Sequence, residues 1–95
     1  MTRPEITEEQ IALVVAAFEQ ELRRQLGRKG PRAFVSTHEV AGVVTEEYHE
    51  MLAALHGNDL GHFRSELLDI AVGCVFGVAC LDAGHLEAWT RSDWS

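Results

Sequence analysis

The run LLDIAVGCVFGVACL, residues 67–81, carries a single charge, at Asp69. Its uncharged part, Ile70 to Leu81, is 12 residues long. That is too short to cross a bilayer, which takes about 20 residues of helix. It also lacks the strict alternation of a half-buried strand, and Gly84 gives it a stop. The run predicts a helix that is apolar nearly all round, and such a helix is buried on every side. A chain of 95 residues, one domain covering 1–95, has too few other elements to provide that cover alone. Partner subunits are therefore expected to supply the rest. Gly73 and Gly77, four apart on one face, would let another helix approach closely.

The remainder of the chain is also patterned for helices. Thr7 with Gln10 three residues on is a capping-box pattern, and Ile11, Val14, Val15, Phe18, Leu22 and Leu26 recur at helical spacing up to Gly27. This predicts a first helix over about 8–26. The connector GRKGPRAFV reads as a loop. Ser36 with Glu39 repeats the capping box and opens a second helix over about 37–56, which stops at Gly57. GNDLG is a tight turn, with Asn58 or Asp59 capping a third helix over about 60–82. The tail HLEAWTRSDWS has room for one short turn, with Trp89 and Trp94 as packing anchors. The expected fold is all-α, an antiparallel bundle of three main helices completed by oligomerisation.

A formal charge of −7 argues against nucleic acid or an anionic membrane as a partner, while 46% hydrophobic residues exclude disorder. Cys74 and Cys80 are too far apart along one helix to pair, which suits reduced thiols in the cytoplasm. The polar N-terminus MTRPEITEEQ does not resemble a secretion signal.

The placement of the acids is the unusual feature. On a helical wheel Val40, Val43, Val44, Met51, Ala54 and Leu55 define an apolar arc, and Glu47 falls inside it. Glu50 lies at its edge and Glu46 further toward solvent. In the third helix Glu66 and Asp69 share a stripe with His62 and Gly73, surrounded by Leu67, Leu68, Ile70 and Ala71. Acids crowded on two inward-facing surfaces repel one another and are poorly solvated. A hard divalent cation removes both problems, because Mg²⁺ takes oxygen ligands and tolerates several carboxylates. The acids are therefore expected to make a metal site.

Written as a pattern, Glu46-Glu47-x-x-Glu50 is followed after 15 residues by Glu66-x-x-Asp69. This resembles the EExxE…ExxD signature of the MazG-like all-α nucleoside triphosphate pyrophosphohydrolases, over about residues 36–82. The resemblance implies antiparallel helices whose acids bind Mg²⁺, with Mn²⁺ as a substitute. The metal would hold a nucleoside triphosphate and activate a water that cleaves between the α and β phosphates. Glu47, Glu50, Glu66 and Asp69 would be ligands, Glu46 would be an auxiliary ligand or the base that orients the water, and Glu50 could orient it as well. A dimer or tetramer is also implied. The chain departs from that family after the second acidic pair. Family members carry Lys, Asn or Arg on later helices there, whereas this chain offers only His85, Arg91, Trp89 and Trp94. Most of its basic residues (Arg23, Arg24, Arg28, Lys29 and Arg32) precede the second helix instead, as a phosphate clamp or as a solvated helix end.

Of the five histidines, His38 and His56 read as surface residues near the ends of the second helix. Glu46-x-x-His49 matches half of the motif used by carboxylate-bridged iron or manganese helical proteins, an alternative that needs a second copy. His62, one turn before Glu66, is placed to support it or to face solvent. A non-catalytic or regulatory oligomer of the same fold is the remaining alternative.

Overall fold

A computed structural model describes residues 2–86. The expected C-terminal turn and the residues Trp89, Arg91 and Trp94 lie outside the described residues. Among those described there are three helices, α1 (Glu8–Lys29), α2 (Thr37–His56) and α3 (Leu60–Asp82), and no strand. None is long and apolar enough to cross a membrane. The chain divides into two compact units, one within Met1–Gly30 and the other beginning at Pro31.

The first unit is α1. Thr7 caps it by accepting a hydrogen bond from the Gln10 amide at 3.1 Å. The helix runs one turn beyond the expected end near residue 26, so Gly27 is not the stop. A glycine inside a helix costs only about 1 kcal/mol against alanine, and Arg28 and Lys29 suit the negative end of the dipole. The stop is Gly30, at φ 84°, whose amide still bonds the Leu26 carbonyl. Pro31 follows, and a residue before proline is pushed away from helical backbone. None of the α1 side chains is buried. Ile11, Val14 and Val15 are exposed, and Phe18, Leu22 and Leu26 are half-buried.

The second unit is an antiparallel hairpin of α2 and α3. Ser36 accepts from the Glu39 amide at 3.2 Å, and Glu39 accepts from the Val35 amide at 3.1 Å, one residue beyond the N-cap amide that the usual capping box engages. At the other end of α2 the residue with left-handed backbone is Asn58 (φ 55°), not Gly57 (φ −86°). The Asn58 and Asp59 amides bond the Leu55 and Ala54 carbonyls, which closes α2 as a Schellman motif. Asp59 then caps α3 by accepting from the His62 amide at 3.0 Å. One aspartate thus ends one helix and starts the next. Gly84 (φ 73°) closes α3 with the same motif, through its own amide and that of His85.

Register follows from the small residues of α3. A Cβ built on Gly77 would stand 3.0 Å from Val40 Cγ1, and one on Gly73 would lie 3.8 Å from Val44 and 3.9 Å from Val43. Both glycines therefore admit α2 of the same chain. Ala54, Val72 and Cys80 are the buried hydrophobic residues among those described, and Phe34 closes edge-on against Phe76 at 5.4 Å. The opposite side of α3, expected to be covered, is open in the single chain: Leu67, Val75, Val78 and Leu81 are 43–54% exposed.

Candidate metal centre

The register that sets Val40 on Gly77 carries Glu47 of α2 to the level of Glu66 and Asp69 on α3. Oxygens of these three carboxyl groups all lie within 4.8 Å of one another. Glu66 is 5% exposed, and Glu47 and Asp69 are half-buried. Glu47 Oε2 and Glu66 Oε2 are both buried without a hydrogen-bond partner. Leaving a buried carboxylate oxygen unmatched costs on the order of 1–3 kcal/mol or more.

Electrostatics concentrate on Glu47. Burial pushes its carboxyl up to about 8, helped by the close approach of the Glu66 carboxyl and by the charges of Glu66, Asp69 and Glu50. Glu50 is exposed, yet its carboxyl is also raised, chiefly by the negative charge of Glu66. It stands beside the cluster and outside the group of three. Glu46 is exposed on the solvent side of α2. Of the expected ligands, then, Glu47, Glu66 and Asp69 converge, and Glu50 is the neighbour whose charge Glu47 feels.

His62 approaches from the first turn of α3, where its Nε2 lies 3.1 Å from Glu66 Oε1. His49 is exposed and packs edge-on to Tyr48, and it is absent from the group of three. His38, His56 and His85 are exposed as well. In the basic cluster Arg23 donates to Glu19 at 3.3 Å and Arg24 to Glu21 at 2.9 Å, so both arginines pair with acids of their own helix on its exposed surface. Arg24, with Gln25, in turn holds the Glu21 carboxyl down at about 2.

The three carboxyl groups fit a hard divalent cation. Their donors are all oxygen, two of these oxygens are orphaned and buried, and together the groups carry up to three negative charges. Oxygens sharing one Mg²⁺ at about 2.1 Å lie no more than about 4.2 Å apart, so a small side-chain rotation suffices. Comparison of the chain with protein-family models, with curated proteins and with solved structures finds no match.

Proposed function

We propose that the chain is a Mg²⁺-dependent nucleoside triphosphate pyrophosphohydrolase of the MazG-like type, acting in the cytoplasm as a homo-oligomer whose further copies complete an antiparallel bundle. The observation that carries this reading is the meeting of Glu47, Glu66 and Asp69 across two facing helices, with two buried oxygens unmatched. A divalent ion held there, Mg²⁺ or Mn²⁺, would neutralise phosphate charge and acidify a coordinated water. Glu47, Glu66 and Asp69 are the residues to hold it. Glu50 is the proton acceptor, because its exposed carboxylate borders the cluster and is open to incoming water. Water would attack the α-phosphorus, give its proton to Glu50, and expel pyrophosphate as the bridge between the α and β phosphates breaks. Glu46, on the solvent side, is left to orient the incoming water.

Purified protein with Mg²⁺ or Mn²⁺, offered a panel of common and damaged nucleoside triphosphates, should release a monophosphate and intact pyrophosphate. Glu50→Gln and Asp69→Asn should each remove activity, and His38→Ala should retain it. Release of inorganic phosphate would refute the reaction. Absence of any release would favour a second reading, a metal-binding but non-catalytic oligomer. The pairing of Arg23 and Arg24 with glutamates of α1 speaks for that reading, because a phosphate would have to compete with those glutamates for two of the basic residues. The exposed His49 speaks against a carboxylate-bridged iron or manganese site.

A further inference from the structure

Glu66 is the most buried acid of the cluster, and its two oxygens differ. Oε1 meets His62 Nε2 at 3.1 Å, whereas Oε2 is buried with no partner. A long flexible side chain would ordinarily turn either oxygen inward. Here the contact with His62 distinguishes them.

We propose that His62 is a positioning residue that fixes the Glu66 carboxylate through Oε1 and so presents Oε2 to a divalent cation held with Glu47 and Asp69. The inference rests on the metal-site reading above and names the group that orders that site. An ionised carboxylate is acceptor-only, so the ring nitrogen facing Glu66 must be the donor, which fixes the tautomer. The backbone that carries the ring is anchored at the turn. The His62 amide donates to Asp59 Oδ1 at 3.0 Å, so the residue sits in the first turn of α3 with its backbone anchored. Glu66 follows four residues later, where side chains on one helix face meet. His62 is half-exposed at the rim and does not belong to the group of ligand atoms within 4.8 Å of one another. It acts on the metal through Glu66 and does not bind it. Support of this kind typically changes metal affinity by about 10–100-fold.

The test is Mn²⁺ binding to the full chain, followed by calorimetry and by electron paramagnetic resonance at one fixed pH, with thermal unfolding in EDTA as a control. Parent protein should bind Mn²⁺, and Glu47→Gln should not. His62→Ala should bind about 10–100-fold more weakly with little change in unfolding in EDTA. His62→Gln, which keeps an N–H donor, should recover most of the affinity, and bound Mn²⁺ should show no directly coordinated nitrogen in any variant. Affinity of His62→Ala within twofold of the parent would overturn the role of His62 while leaving the site intact. So would a His62→Gln as weak as His62→Ala, or nitrogen coupling from a coordinated ring. Parent protein binding no more tightly than Glu47→Gln would instead overturn the metal site itself, and this inference with it.

Discussion

At the scale of single residues, Glu47 dominates. Its carboxyl has a folded-state pKa of about 8, against 4.5 when exposed in the unfolded chain. The folded protein therefore binds the proton more tightly, and this contribution to stability is complete below about 4.5 and is lost as pH rises through 8. Without metal, the protein should lose stability steadily across that window, by at most about 1.4 kcal/mol per pH unit for this one group. Glu50, raised in the same direction, adds to the slope. Urea unfolding in EDTA at pH 5 and pH 8.5 measures the difference. Equal stability at the two values would contradict it. Mg²⁺ should reverse the trend at the high end, because a cation that binds only the folded chain stabilises it by mass action. Glu47→Gln should flatten the pH dependence and gain stability at pH 8.5 in EDTA while losing the response to Mg²⁺.

At the scale of the helix, the two glycines of α3 respond oppositely to substitution. A Cβ at Gly73 would meet Val44 and Val43 at ordinary contact distance. Gly73→Ala should therefore raise stability by about 0.5–1 kcal/mol through helix propensity. At Gly77 even a methyl group would press on Val40, so Gly77→Leu should cost about 1–3 kcal/mol or more by overpacking. Chemical denaturation of both variants tests the register, and a Gly77→Leu as stable as the parent would contradict it. The starts of α2 and α3 were readable from sequence because Ser36 and Asp59 cap with their own side chains. The end of α1 was not, since Gly27 and Gly30 look alike in sequence and only Gly30 has positive φ. Glu47 was legible as an acid on an apolar arc. The separation of Glu50 from the group of three was not, because a wheel drawn on one helix contains no information about how the facing helix crosses it. The partner of Glu66 was half legible: spacing put His62 on the right stripe, but solvent and Glu66 compete for its ring in any sequence reading.

At the scale of the whole molecule, uncovered apolar surface is the main fact. Leu67, Cys74, Val78 and Leu81 follow one another along the outer side of α3 at the spacing of a helix-packing seam, and all are exposed. With Ile11, Val14 and Val15 of α1 also exposed, light scattering should find a dimer or larger at micromolar concentration. Val78→Lys should shift the assembly toward monomer by placing a charge on that seam. A clean monomer for the parent chain would refute the homo-oligomer. If two copies of α3 meet about Cys74, mild oxidation should yield a disulfide-linked dimer that Cys74→Ser cannot form.

The turn Gly57-Asn58-Asp59 bears on time as well as structure. All the residues assigned to the cation lie on one helical hairpin, and the aspartate shared by its two helices holds them next to each other along the chain. Contacts of such short sequence separation have a low contact order, and chains rich in them fold in microseconds to milliseconds. The carboxylates should consequently be brought face to face early, before any second copy has been encountered. Their mutual repulsion then acts on the nascent hairpin itself. Dissolved Mg²⁺ would accelerate folding as well as favour its end point, and a stopped-flow refolding rate that rises with Mg²⁺ at constant ionic strength would be the kinetic signature of that early encounter.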